Sequence, residues 1–176
     1  MAIVINGSGT VTGLAVGGLP DGTVDSGTLA VNSRGTVLQV VSTTYSTNVN
    51  NATSSYVDTG LSAVITPSSS SNKIFVCISQ ALGADRDSQE AGVKAKLMRG
   101  ATEIQDYPEA IRVEAGGVGA SKSTGIWSMT YLDSPSTTSA TTYKTTCAPQ
   151  NTANNGLTRS QWGSTSSTIT LMEIAG

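Results

Sequence analysis

From Thr36 onward, apolar and polar residues recur with a period of two, the spacing of a half-buried strand. Residues 36–42 form a near-continuous apolar strand. Residues 55–65 carry Tyr56, Val57, Leu61, Val64 and Ile65 and stop before Pro67. Four serines, Ser68 to Ser71, and then Asn72 read as a loop. Residues 73–79 give the strongest strand, apolar on both faces and therefore mid-sheet. Residues 92–99 set Val93, Ala95 and Leu97 against Lys94 and Lys96, and Gly100 predicts a hairpin into residues 101–106. Residues 125–133 set Ile126, Ser128, Thr130 and Leu132 against Trp127, Met129 and Tyr131. Residues 141–148 and 168–175 complete the set, about eight strands with no long helical pattern. Residues 108–115, with proline at the first position, suit one or two helical turns. The expected fold is all-β: an antiparallel β-sandwich, jelly-roll-like, over residues 36–176.

Residues 1–35 follow another rule. Glycine stands at positions 7, 9, 13, 17, 18, 22 and 27, and Asp21 and Asp25 are the only charges through Ala30. Pro20-Asp21-Gly22 is a turn, since proline presets φ and glycine accepts positive φ. No strand or helix of ordinary length fits between these glycines, so the segment cannot build a core. It reads as an extended arm whose apolar residues (Ile3, Ile5, Val11, Leu14, Leu19, Val24 and Leu29) are buried only against something else.

Composition narrows the function. Serine and threonine, 24 and 25 of them, fill 49 of the 176 positions, whereas charged residues are 12 % and histidine is absent. Without histidine there is no Ser-His-Asp or Cys-His nucleophile and no His-ligated metal. The net charge of −2 with scattered Lys and Arg leaves no footprint for nucleic acid. No apolar run is long enough for a membrane helix, and the apolar stretch before Asn6 is too short for a secretory leader. The seven acids and five bases between Asp85 and Glu114 read as a solvated face. A non-enzymatic protein with no cofactor and no metal is expected. Cys77 and Cys147 read either as small buried hydrophobes or as a cross-sheet disulfide.

Two groups of residues suggest contacts. Trp162 lies among Arg159, Gln161, Asn154 and Asn155, an aromatic platform beside amides that suits a sugar ring; the alternative is a plug at the end of the sandwich or a subunit contact. Two strands are apolar on both faces, one with Trp127, Met129 and Tyr131, the other with Met172 and Ile174. Large apolar residues are few for the length, so shared burial between copies is expected, with these strands at the contact of a homotrimer.

Three stretches together carry a resemblance. The chain starts Met1-Ala2-Ile3-Val4-Ile5-Asn6-Gly7-Ser8-Gly9-Thr10-Val11-Thr12-Gly13-Leu14 and continues into Gly17-Gly18-Leu19-Pro20-Asp21-Gly22-Thr23-Val24. Leu38-Gln39-Val40-Val41 precedes a Ser/Thr/Asn stretch, and the end is Ile169-Thr170-Leu171-Met172-Glu173-Ile174-Ala175-Gly176. This combination resembles the tail-fibre and head-fibre proteins of tailed bacteriophages, especially those of marine and cyanobacterial phages. The resemblance implies a homotrimer on the virion, assembled in the host cytoplasm, with the arm tethered to capsid or tail proteins and the body projecting outward. It brings no catalytic residues. The short length suits a capsid-surface fibre, a decoration protein or a distal fibre piece. A carbohydrate-binding module for host-surface glycan is the alternative.

Overall fold

The computed structural model describes residues 4–5, 11–12, 35–87, 90–114 and 120–176. β1 (Val4–Ile5) and β2 (Val11–Thr12) form a two-residue antiparallel ladder in which Ile5 is the register partner of Val11. Of the other expected anchoring residues, Ile3, Leu14, Leu19, Val24 and Leu29 lie outside the described residues. The body contains β3 (Val37–Tyr45), β4 (Val49–Asn51), β5 (Val57–Ile65), β6 (Lys73–Asp87), β7 (Ala91–Arg99), β8 (Thr102–Val113), β9 (Ala120–Asp133), β10 (Thr141–Pro149), β11 (Leu157–Ser160) and β12 (Ser167–Ile174). A 3-10 turn at Trp162–Ser164 separates the last two.

The pairing is that of a long hairpin rolled on itself. β7 pairs with β8 at its tip, β6 with β9, β5 with β10, and β3 with β12 at its open end, all antiparallel. Rolling adds the β12–β6 and β10–β7 pairs. One sheet therefore runs β5-β10-β7-β8, and the other runs β3-β12-β6 with β9 on the far edge of β6. This alternation of eight strands between two sheets is a jelly roll. β11 continues the row of β12 along β6, and the short β4 covers β11.

The core follows from the period of two. Ile74, Val76, Ile78, Leu82 and Ala84 point inward from β6 and meet Leu61, Val93, Leu97 and Tyr143 from the facing sheet. Trp127 is 6 % exposed and stacks edge-on against Tyr107, ring centroids 5.1 Å apart. Gly100, with φ of 58°, makes the tip of the hairpin, a conformation that glycine adopts without strain. The helical turns expected over residues 108–115 do not form, because Ile104, Tyr107, Ala110, Ile111 and Val113 continue a strand against the core. Pro108 is accommodated in a bulge: Tyr107 pairs with Ala95 and Ile111 with Val93, so three residues of β8 stand opposite Lys94 alone. β8 is an edge strand, where proline costs no ladder bond. β6 runs eight residues beyond the expected end at Ser79, because Leu82 and Ala84 keep the inward alternation.

Where the first and last strands close the roll, Glu173 points inward and is fully buried. Its Oε1 accepts hydrogen bonds from the Ser68 backbone N–H at 2.6 Å, the Ser68 hydroxyl at 2.8 Å and Asn72 Nδ2 at 2.6 Å, and its Oε2 accepts from Gln39 Nε2 at 2.6 Å. All four donors are neutral. Asn72 in turn accepts the Gly176 N–H at 3.1 Å. Burial alone pushes this carboxyl up, but the four donors outweigh it and hold the group at about 2 against an ordinary 4.5.

Because the folded-state value is depressed, the stabilisation is complete above pH 4.5 and is lost as pH falls from there to about 2. That shift corresponds to about 3 kcal/mol. Glu173→Gln turns an amide N–H toward donors and is expected to lower stability at neutral pH by about this amount. Urea unfolding at pH 7 should show the gap, and the gap should narrow at pH 3; equal midpoints at pH 7 would refute the carboxylate's role.

Candidate functional site

The two outer faces of the sandwich differ in charge. On the β5-β10-β7-β8 sheet, Lys144 meets Asp58 at 2.8 Å and Arg112 meets Glu109 at 2.8 Å and Glu90 at 3.2 Å. Lys96 and Lys94 stand 4.3 and 5.5 Å from the centroid of the Tyr56 ring. These are surface pairs, and each contributes little to stability. Glu90, Lys94, Lys96, Glu109 and Arg112 of the mixed-sign run thus lie on a solvated face, whereas Asp85, at its start, is buried on the other sheet.

The outer face of the other sheet is uncharged over four cross-strand rows. The first is Val40, Met172, Phe75 and Leu132, in register across β3, β12, β6 and β9. The second is Ser42, Thr170, Cys77 and Thr130, and the third is Thr44, Thr168, Ser79 and Ser128. Ala81 and Ile126 continue into the fourth. Val40 and Ile126 are each 57 % exposed and Leu132 is 50 % exposed. Lys73 bounds this region at one end and Asp85, Arg159 and Lys122 bound it at the other.

In the fourth row the strand beside β6 leaves the ladder. Leu157–Ser160 pairs with Asp85 to Leu82, and Gln161 donates its backbone N–H to Ala81 O at 2.9 Å. Pairing resumes at Thr168 opposite Ser79. Between them residues 162–166 loop outward, and the Ser167 hydroxyl takes over as acceptor for the Ala81 N–H at 3.0 Å. The loop and β9 enclose an open cleft of about 510 Å³, lined by Ala81, Thr124, Ile126, Trp162, Gly163 and Thr165 among others. Trp162 forms one wall. Its ring lies over Gly83, where a side-chain Cβ would stand 3.4 Å from Trp162 Cε3 and 3.0 Å from Thr124 Cγ2. Arg159 stacks on it, 4.9 Å from the ring centroid. The guanidinium is held by Asp85 Oδ2, which accepts from Nε at 2.8 Å and Nη2 at 2.6 Å, and Asp85 Oδ1 is buried without a partner among the described residues.

The expected contact residues are thus only partly brought together. Trp162 and Arg159 share the cleft wall. Gln161 is fully buried: in the amide orientation that satisfies both ends, it donates to Thr59 O at 3.0 Å and accepts from Gln80 Nε2 at 2.9 Å, so it cannot reach a ligand. Asn154 and Asn155 lie at the far end of β6, where Asn154 O accepts the Asp87 N–H and Asn155 Nδ2 donates to Asp87 at 2.9 Å. Asp87 is four residues, about 13 Å, beyond Gly83. The strand of Trp127, Met129 and Tyr131 presents the opposite side from the one expected at a contact. Trp127 and Met129 are buried, Tyr131 packs against the core, and the exposed side carries Ile126 and Leu132. Met172 and Ile174 do face outward, half-buried.

No disulfide links the cysteines. Cys77 lies on the outer face and Cys147 points into the core, where its sulfur meets the hydroxyls of Thr158 at 3.5 Å and Ser160 at 3.3 Å. Burial pushes both thiols up, and the two hydroxyls only partly offset this at Cys147, so neither is activated as a nucleophile. Asp85, Asp87 and Glu90 are engaged by Arg159, Asn155 and Arg112. Gly83 beneath the Trp162 ring and Thr124 beside it are the residues that the sequence did not single out, because only the β6–β9 register brings them under the 162–166 loop.

Trp162 is the exposed tryptophan and Trp127 the buried one, so iodide should quench only the former. Asp85→Asn removes the charge that fixes Arg159. It is expected to raise the quenching constant of Trp162 and to cost about 1–3 kcal/mol; an unchanged constant would show that Arg159 does not hold the ring.

No protein-family model and no curated protein matches this chain. Among solved structures, infectious bursal disease virus, Gx strain, is similar at 11 % identity over 79 % of this chain and 37 % of that chain, with a TM-score of 0.37. The Gt strain of the same virus is similar at 10 % identity over 79 % of this chain and 41 % of that one, with a TM-score of 0.35. The chain spans about two-fifths of the length of the chains it matches.

Proposed function

We propose that this protein is a non-enzymatic structural component of a bacteriophage particle, a short capsid or tail fibre or decoration protein. Residues 1–35 tether it and the jelly roll is displayed. The observation that carries the reading is the eight-strand jelly roll placed directly after a glycine-punctuated arm. Jelly rolls serve in viral capsids and in lectins, and because a fold does not by itself assign a role, it is the glycine-punctuated arm that favours the particle setting. Its apolar residues come in short pieces between glycines and turn formers, too few to build a core of their own. Among the described residues the core of the body is drawn from residues beyond 35, which supports a tether that can be removed without unfolding the body.

A second reading is favoured by one feature, the cleft at Trp162. An apolar wall with hydroxyls and backbone groups beside it suits a neutral sugar ring, because the cation at the site is already committed to Asp85. In that reading the displayed body recognises host-surface glycan.

Deleting residues 1–34 is expected to leave a body with the unfolding midpoint of the full chain that no longer joins particles; a truncated chain that still co-purifies with particles would refute the tether. On a glycan array the full chain should bind neutral oligosaccharides, and Trp162→Ala should reduce binding roughly tenfold or more, the loss of a stacking contact of about 1.4 kcal/mol. An array without signal would remove the second reading and leave the first.

A further inference from the structure

We infer that two copies of this chain pair face to face through the uncharged outer face of the β3-β12-β6-β9 sheet, about a two-fold axis lying in the interface and running across the strands between Cys77 and Ser79. Three observations carry the inference, and it does not depend on a role in a particle.

The first is where the exposed apolar groups lie. Among the described residues the exposed large hydrophobics are Val37, Val40, Val64, Ile126, Leu132 and Trp162. Five of these six belong to this side of the sandwich, and Val64 alone belongs to the other. Scattered exposed hydrophobics need no explanation, but a cluster on one face does.

The second is the order of the rows. Along β6 they read apolar at Phe75, small and mostly hydroxyl at Cys77 and Ser79, and apolar again at Ala81. That order is the same in both directions. A two-fold axis midway between Cys77 and Ser79 keeps each strand over its own copy and exchanges the outer rows. Leu132 then lies against Ile126 of the second copy, both on β9. Phe75 lies over Ala81, a large side chain over a small one. Met172 lies beside Trp162, where the cleft provides the hole for it. Thr130 faces Ser128 and Thr170 faces Thr168, so hydroxyls meet hydroxyls. A face that matches itself in this way makes a closed, isologous contact. A different partner would not require the symmetric order.

The third is charge and size. Cys77 is the one ionisable side chain in the four rows, and Lys73, Asp85, Arg159 and Lys122 stand outside them, the depletion expected at the centre of an interface with charges left to the rim. The overlap runs from Lys73 to Gly83 over four strands, roughly 33 by 19 Å at ordinary strand spacings. That is on the order of 650 Å² before side-chain relief is counted, close to the roughly 800 Å² per partner of a standard interface. Pairing by twos departs from the homotrimer expected from composition. It also competes with the glycan reading, because the second copy fills the cleft.

Sedimentation of the full chain at rising micromolar concentration tests this. The expected mass is twice 17.9 kDa, about 36 kDa. Thr130→Lys places a charge near the axis at an exposed position and is expected to weaken pairing roughly tenfold or more, whereas Val64→Lys on the opposite sheet leaves it unchanged. Alkylation of Cys77 in the unaltered chain should slow as concentration rises, a readout that stands even where the lysine variant folds poorly. A monomer throughout, a threefold mass, a Thr130→Lys chain that pairs as before, or Cys77 alkylation independent of concentration would each overturn the proposal.

Discussion

The sheet that carries the cleft and the uncharged face is registered on β6. The strand is fifteen residues long and is hydrogen-bonded along both edges, to β9 on one side and to β12 and β11 in turn on the other. Strict alternation along it has two effects at once. Inward positions fill the core, and outward positions fall into rows with their neighbours across four strands. The apolar first row and the hydroxyl rows are consequences of this one ladder. The Trp162 loop is its local exception, since residues 162–166 leave an edge that is otherwise continuous.

A chain with so many small hydroxyl residues cannot rely on large side chains throughout, and among the described residues 13 buried polar or charged side chains stand beside 21 buried hydrophobic ones. Near the Trp162 end, Thr59 and Thr145 share a hydrogen bond, Gln161 bridges Gln80 and Thr59, and Cys147 meets Thr158 and Ser160. At the opposite end Glu173 is held by four neutral donors. At Asp133, which accepts from Arg99 at 2.8 Å and from the buried Tyr143 hydroxyl at 2.6 Å, the same solution recurs with a cation. Buried polar groups satisfied in this way fix one arrangement, because any other leaves a donor or acceptor without a partner.

The eight long strands, the two-face alternation and the Gly100 hairpin were legible in the sequence because they depend on neighbours two residues apart or on a single turn residue. The roles of Glu173 and Gln161 were not. Both are polar residues at inward positions, and only the closure of strands far apart in the chain supplies their partners. The proline at 108 suggested a helix start, yet the inward run through Ile111 and Val113 overrode it. Trp127 and Met129 suggest contact residues because their strand is apolar on both sides, and local sequence does not say which side turns inward. The outer rows were likewise invisible, since Val40, Met172, Phe75 and Leu132 become neighbours only through register.

The rolled hairpin also has a temporal consequence. β7 and β8 join across a turn at Gly100 and close at little entropic cost, whereas Val41 pairs with Leu171, 130 residues away in sequence. Folds dominated by such distant pairings form in milliseconds to seconds. The tip of the hairpin therefore closes at the lowest entropic cost and the two ends at the highest. At those ends the Glu173 carboxylate, with donors from residues 39 and 68–72, ties together strands that are far apart in the chain. A chain in which β12 has not docked would leave one edge of β6 open, the condition that exposes a strand to pairing with the wrong partner.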